Sequence, residues 1–342
     1  MAHLGVKVEI GKFPHSLLEK LLQQPRFNDH RVLLGPGLGE DAAVIDMGET
    51  LLIAKSDPIT FAIDRIGWYA VQVNANDIAC MGGTPRWFLA TLLVPESFTE
   101  NQAGELFNQV LDACNSINVA LIGGHSEVTY GIDRPIVSGS MLGEVTRDRL
   151  IKTGGAQEGD SIVITKGLAI EGTALLALER AEDLRRAGVN DDTITQCINL
   201  LDSVGVSVIT DAAVASTITH IHSMHDVTEG GLVTGLREVA SASGLGLAIE
   251  EGGIPVLPMT LEVCQALELD PLGLLGSGAL IITLSPEFVP SLLSNLENAG
   301  IDGWEIGRMM PIEEGLVSIG RTGEIELPQF SRDELARYFS CS

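Results

Sequence analysis

Gly39-Glu40-Asp41-Ala42-Ala43-Val44, Ser56-Asp57-Pro58-Ile59 and Asn74-Ala75-Asn76-Asp77 set acids beside small or apolar residues at the ends of apolar runs. A carboxylate in such a place is at least half-buried, so it must be paired, hydrogen-bonded or bound to a metal. Few Lys or Arg lie near these acids in the sequence, which points to the metal. Hard oxygen ligands suit Mg²⁺, an ion that keeps waters and commonly binds together with a polyphosphate. The first expectation is a Mg-nucleotide site with Asp41, Asp57 and Asp77 as metal ligands.

Working outward, residues 42–46 and 51–55 predict strands, and 66–81 a helix with Asp64 as its cap and Gly82-Gly83 as its stop. Asn74 and Asp77 share a face of that helix, with Asn76 turned away. Residues 87–94 predict a nearly all-apolar strand, buried on both faces or lying at a subunit interface. A helix over 102–118 and strands over 119–122 and 135–143 follow. Residues 146–160 read as a linker. Beyond them, strands are expected at 161–165, 247–250 and 279–284. Helices are expected at 172–186, 207–219, 230–243 and 286–299, with a tail helix from Ser331 capped with the help of Glu334, like an early helix over 16–24 with Ser16 and Glu19. Interleaved strands and helices make the class mixed α/β. At 342 residues two domains are expected, divided as 1–150 and 151–342.

The loop Gly35-Pro36-Gly37-Leu38-Gly39 can bring backbone N–H groups to a phosphate, which makes Gly37 and Gly39 cofactor-binding candidates. It matches neither the P-loop nor the dinucleotide fingerprint. Gly123-Gly124-His125-Ser126-Glu127 follows a buried strand. There Gly124 is a cofactor-binding candidate, and His125 and Glu127 are catalytic candidates that share a side if the chain stays extended. His225-Asp226-Val227-Thr228-Glu229-Gly230-Gly231 runs into a helix. Thr228 as its cap would leave N–H groups facing an anion, with Asp226 as a catalytic candidate and Thr228 and Gly230 against the cofactor. His220, His222 and His225 invite a zinc reading, but no further ligand falls at a zinc-motif spacing.

The net charge of −25 argues against nucleic acid and anionic membranes as partners. The five cysteines are scattered and form no C-x-x-C pair, which argues against a disulfide framework. No apolar run approaches a membrane span, and Lys7, Glu9 and Lys12 interrupt any leader, so a cytoplasmic protein is expected.

Together these motifs, in this order, resemble the superfamily of aminoimidazole ribonucleotide (AIR) synthetase. That superfamily includes selenophosphate synthetase, thiamine-monophosphate kinase and the hydrogenase maturation protein HypE. The segments Glu238-Val239-Ala240-Ser241-Ala242-Ser243-Gly244, Ile254-Pro255-Val256 and Leu269-Asp270-Pro271-Leu272 are similar to HypE. Pro85-Arg86-Trp87-Phe88 and Ile170-Glu171-Gly172-Thr173 are similar to HypE-like AIR-synthetase-related proteins. The resemblance implies two α/β domains and a homodimer formed through the N-terminal sheets. It implies ATP and Mg²⁺ in an acidic cleft, with Asp41, Asp57, Asp77, Asn76 and the glycines around them. It also implies activation of a carbamoyl- or amide-type acceptor or of another small molecule, and a hydrogenase-maturation partner. The rival expectations are a non-catalytic nucleotide-binding scaffold for maturation and a small-molecule kinase of the thiamine-monophosphate type. The chain departs from HypE in its ending, Arg337-Tyr338-Phe339-Ser340-Cys341-Ser342, and in His125, where HypE has Asp.

Overall fold

The computed structural model describes residues 12–13, 15–24, 27–37, 39–60, 62–321 and 323–341. The first half of the chain runs α1 (His15–Leu22), β1 (Val32–Leu34), β2 (Ala43–Asp46), β3 (Leu51–Ile59), α2 (Ile66–Cys80), β4 (Thr84–Val94), α3 (Glu100–Ser116), β5 (Ala120–Val128) and β6 (Ile136–Val145). Its six strands form one sheet in the order β1-β2-β3-β6-β4-β5. All neighbours are antiparallel except β4 and β5.

The second half begins with β7 (Ser161–Thr165), α4 (Ile170–Glu179), α5 (Ala181–Arg186), α6 (Asp191–Ser203), α7 (Ile209–Ala215), β8 (Ile221–Asp226), α8 (Gly231–Ser243) and β9 (Gly246–Glu250). It continues with α9 (Pro258–Ala266), β10 (Leu280–Leu284), α10 (Val289–Asn298), β11 (Gly303–Met310), β12 (Leu316–Gly320), β13 (Gly323–Glu326) and α11 (Glu334–Cys341). Here the sheet order is β13-β12-β9-β11-β7-β10-β8. The mixed α/β class is as expected.

Helix α2 joins the two halves. Every residue of it except Trp68 is buried. It packs on β3, β6 and α3 of its own half and on β8 and α7 of the other. A helix enclosed all round has no polar face to show, so its polar residues Gln72, Asn74, Asn76 and Asp77 lie inside the protein. Asn74 accepts the Asp57 N–H at 2.9 Å and donates to the Asp57 carbonyl at 3.1 Å, which pins β3 to the helix. Ala79 and Cys80 share an apolar cluster with Val163, Met224 and Leu280 of the second sheet.

Several expected boundaries shift. Strand β3 runs through Asp57 to Ile59, so that acid lies within a strand. The α2 cap is Arg65 in a left-handed conformation, not Asp64. The expected 172–186 helix is two helices, α4 and α5. Strand β5 continues through Gly123-Gly124 to Val128 instead of ending there. Residues 146–160 are not a loose linker: Thr153 and Asp160 are buried, and the Thr153 carbonyl accepts the Ser223 hydroxyl at 2.7 Å. Leu38 of the Gly-rich loop, the Cys341 side chain and Ser342 lie outside the described residues.

Candidate functional site

Where α2 meets β8, both halves of the chain contribute acids. Asp41 precedes β2, Asp57 lies on β3, Asp77 is on α2, Asp226 ends β8 and Glu238 is on α8. Asp41, Asp77 and Asp226 are buried. Two cations thread between these acids. Lys55 Nζ lies 3.0 Å from Asp77 Oδ1 and 3.3 Å from Asp57 Oδ2. His225 bridges the halves, with Nδ1 2.6 Å from Asp41 Oδ1 and Nε2 2.9 Å from Glu238 Oε2. At the rim, Lys12 Nζ reaches Glu238 Oε1 at 3.5 Å and Thr228 Oγ1 at 3.4 Å. Thr153 donates its hydroxyl to Asp41 Oδ2 at 3.0 Å.

Charge and burial compete at each group. Burial opposes charge on Lys55, yet Asp77, Asp57 and Asp41 outweigh it and hold the ammonium above its ordinary value. Burial likewise opposes charge on His225, and Asp41 and Glu238 overcome it to keep the ring an imidazolium. Burial drives Asp77 well above the usual carboxylate range, against the pull of Lys55. Burial and the neighbouring Asp41 push Asp226 up to about 6. Among the described residues, Asp77 Oδ2 and Asp226 Oδ2 are buried without a hydrogen-bond partner. Carboxylates in that condition fit a cation that brings its own charge, so the residues present fit a bound divalent metal.

The residues singled out from the sequence separate into three groups. Asp41, Asp57, Asp77 and Asp226 come together, with Thr228 at the rim. The expectation of few basic groups near the acids is corrected: Lys55 already serves as counter-ion to Asp57 and Asp77. Asn76, expected on the cofactor, is instead used up in the fold. Its carboxamide donates to the Val206 carbonyl and accepts the Val208 N–H, both at 2.8 Å, tying the two halves together.

Around α8 the expected cap is also corrected. Its N-cap is Gly230, not Thr228. The Gly230 N–H donates to Asp333 Oδ2 at 2.6 Å, and the Gly231 and Val233 N–H groups donate to the Thr228 and Leu272 carbonyls. A carboxylate and two carbonyls thus occupy donors that an anion would need. In the Gly-rich loop Gly37 is exposed. Gly39, at φ +75°, approaches the second half so closely that a Cβ would lie 2.8 Å from the Glu238 carbonyl oxygen.

His125 and Glu127 stand apart from the acids of their own chain. They are exposed on β5, the sheet edge, and pair with each other at 3.0 Å. His125 sits in register with Thr91, Ser138 and Pro58. Three strand spacings, about 14 Å, therefore separate it from β3, and strand alternation points it to the face opposite Asp57. Gly124 lies on the same edge strand. The three histidines also diverge: His222 Nδ1 is 2.8 Å from Asp160 Oδ1, His220 stacks on Phe288, and His225 bridges the acids. The zinc reading of that trio finds no support.

Sequence reasoning missed Lys55, Glu238, His225 as a bridge, and Cys80, whose Sγ donates to Asp226 Oδ1 at 3.7 Å. The signal for Lys55 was present in the alternation of β3, which puts Lys55 and Asp57 on one face.

Two family models span this arrangement. Residues 39–145 match the AIR synthase related protein, N-terminal domain, and residues 157–315 match its C-terminal domain. The chain belongs to the AIR synthase-related family. Within it, the chain is similar to the carbamoyl dehydratase HypE of Rhizobium leguminosarum, at 27% identity over 83% of this chain and 79% of that protein. The fold matches a chain of a HypE–HypF complex with a TM-score of 0.73 at 18% identity, covering 92% of this chain and all of the other (100%). It also matches a hydrogenase maturation protein HypE in complex with ATP, with a TM-score of 0.67 at 21% identity over 93% and 91% of the two chains. Among the described residues no helix is long and apolar enough to cross a membrane.

Proposed function

We propose that this protein is an ATP- and Mg²⁺-dependent enzyme of the HypE kind, activating a carbamoyl- or amide-type acceptor in hydrogenase maturation. The observation that carries this is the meeting of Asp41, Asp77 and Asp226 in one buried cluster, with carboxylate oxygens on Asp77 and Asp226 left unpartnered among the described residues. The likeness to the carbamoyl dehydratase HypE, and to a HypE that binds ATP, supports the same reading.

In this proposal Asp41, Asp57, Asp77 and Asp226 hold the metal, and Gly37 and Gly39 edge the nucleotide. Bound Mg²⁺ would offset triphosphate charge and stabilise the transferring phosphoryl group. Lys55 keeps Asp57 and Asp77 paired until their oxygens are needed. His225, held charged between Asp41 and Glu238, fixes the angle between the two halves. The division into domains at 150/151 and a maturation-protein partner, as in the HypE–HypF complex, belong to the same proposal.

So does a homodimer through the outer face of the first sheet. On that face Leu89, Thr91, Leu93, Ile136 and Leu142 are only partly buried, while Phe88, Ala90, Val137 and Met141, which point the other way, are buried beneath α2. His125 and Glu127 lie along that outer face, so any catalytic part they have is played at the seam with a second chain.

Phosphorus NMR of the purified protein with Mg-ATP tests the reading. It is run with a carbamoylated cysteine peptide, thiamine monophosphate or selenide added in turn. Turnover with the carbamoyl peptide is expected, and the release of ADP or AMP defines the reaction. Turnover only with another acceptor would replace the HypE-like chemistry. Perturbed ATP signals without turnover would favour the scaffold, and unperturbed signals would overturn the nucleotide site.

A further inference from the structure

Glu171, in the first turn of α4, is buried. The charges that act on it, Asp333 and Asp226, both repel it, and its favourable contact is a hydrogen bond with Ser277. Its charge also reaches the Tyr69 hydroxyl on α2, which is buried without a hydrogen-bond partner among the described residues. The backbone just before Glu171 is strained. Ala169, the N-cap of α4, lies at φ +53° and Lys166 at φ +61°, in the left-handed region that a residue with a Cβ seldom enters. A repelled, buried acid delivered by strained backbone weakens the fold, and such features gather where function requires them.

We infer that Ser277 and Glu171 form a proton relay, in which Ser277 meets the acceptor and Glu171, behind it, takes the acceptor's proton. The inference rests on the reading of the site as one that activates an amide-type acceptor, and it supplies the base that such a reaction needs. The acids of the cluster are already engaged. Asp57 and Asp77 face Lys55, Asp41 and Glu238 face His225, and Asp226 is assigned to the metal.

One short segment, 275–279, holds both ends of the relay. The Gly172 N–H donates to the Leu275 carbonyl at 2.9 Å, which docks the first turn of α4 on that segment. The Gly276 N–H donates to the Thr228 carbonyl at 3.2 Å, and the Val227 N–H to the Ala279 carbonyl at 2.9 Å. The segment is thereby seated on the residues that carry Asp226 out to the rim. Between these anchors the chain turns tightly, with the Ala279 N–H on the Gly276 carbonyl at 3.3 Å, and Ser277 stands inside the turn, buried. Burial brings the Glu171 carboxyl up to about 7, against the Ser277 bond and with the repulsion of Asp333 and Asp226. Near neutral pH it can therefore both take a proton and give it back.

The step balances on one proton. As the acceptor's carbonyl oxygen attacks the γ-phosphorus, the C–O π pair becomes the new O–P bond. The bond from phosphorus to ADP breaks, and its pair leaves on ADP. An amide N–H bond breaks, and its pair becomes the second bond between carbon and nitrogen. That proton passes to Ser277 Oγ as the Ser277 hydroxyl proton passes to the Glu171 carboxylate, which later releases it to solvent.

Steady-state turnover of the full-length protein with Mg-ATP and the carbamoylated cysteine peptide tests the relay. In Glu171→Gln kcat should fall at least about a hundredfold, with KM and the perturbation of the ATP phosphorus signals unchanged. Glu171→Asp, which keeps a carboxylate, should recover part of the rate, and Ser277→Ala should lose it. Wild-type kcat should rise as pH climbs through about 7 and then level off, because the ionised form accepts the proton. That rise should vanish in Glu171→Gln, whereas a residue that only packs would leave the profile in place. Circular dichroism checks that each variant is folded, and if Glu171→Gln is not, the wild-type profile and Ser277→Ala decide. Undiminished kcat in folded Glu171→Gln or Ser277→Ala, or a wild-type kcat flat through neutral pH, overturns the relay and leaves the amide-activation reading standing. A wild type that does not turn the peptide over overturns both.

Discussion

Glu171 is 5% exposed in the first turn of α4. Burial raises its carboxyl from 4.5 to about 7, against a stabilising bond from Ser277 and with added repulsion from Asp333 and Asp226. Between those two values the folded state holds a proton that the unfolded chain has released, so folding loses stability as pH climbs from about 4.5 to about 7. Glu171→Gln keeps a polar partner for Ser277 and removes the titration. In urea unfolding the variant should match wild type near pH 4.5 and exceed it at pH 8 by on the order of 3 kcal/mol, at about 1.36 kcal/mol per pKa unit. Parallel pH profiles for the two proteins would show that Glu171 is not the group responsible. At this scale the acids were legible because a carboxylate among apolar residues is conspicuous anywhere. Their partners were not. Cys80 and Asp226 are 146 residues apart, Thr153 and Asp41 are 112 apart, and Asn76 reaches across 130 to Val206. Asn76 and Asp77 look equally functional in a motif. Only the fold shows that one ties the halves together and the other lies among the buried acids.

Strand β5 shows how an element can be misread. Gly123-Gly124 is an ordinary strand stop, yet β5 passes through it beside β4, with a register shift opposite Phe88 and Leu89. Gly124 is at φ +143°, and a Cβ there would collide with the Ala90 backbone. Glycine is thus what lets two parallel strands close, independent of any phosphate. Gly124→Ala should destabilise the protein by at least about 2 kcal/mol, combining overpacking with backbone strain. Gly104→Ala makes the control: it lies in α3 with nothing within 4 Å of its Cβ, so helix propensity should make it neutral or stabilising by up to about 1 kcal/mol. Equal melting temperatures for the two variants would overturn the packing account. Buried α2 and the alternating β3 were readable because period and burial agree. Strands β1, β8, β11, β12 and β13 and helices α6 and α9 were not. The β8 sequence Ile221-His222-Ser223-Met224-His225-Asp226 carries polar side chains on both faces because one face meets α2 and the acids. A strand built around a site loses the apolar pattern that announces strands.

At the scale of the whole molecule, among the described residues the first sheet offers both an uncovered face and an open edge. Leu93 and Ile136 pair across β4 and β6 on that face, and on β5 Ile122 is 51% and Val128 62% exposed. A monomer with a bare edge strand invites pairing unless something covers it, and a two-fold dimer burying about 1,600 Å² would do so. Introducing charge at the centre, with Leu93→Lys and Ile136→Lys together, should halve the sedimenting mass while leaving circular dichroism unchanged. A wild type that already sediments as a single chain would sink the dimer. Net charge supplies a second readout. Each copy carries −25, whereas the face itself is mostly Leu, Ile, Ser and Thr, so association brings two like-charged bodies together over a nearly neutral patch. Salt screens that long-range repulsion, with a Debye length near 8 Å at physiological strength, and hardly weakens apolar contact. The dimer should therefore tighten as ionic strength rises from about 10 to about 150 mM. An interface held by ion pairs would loosen over the same range.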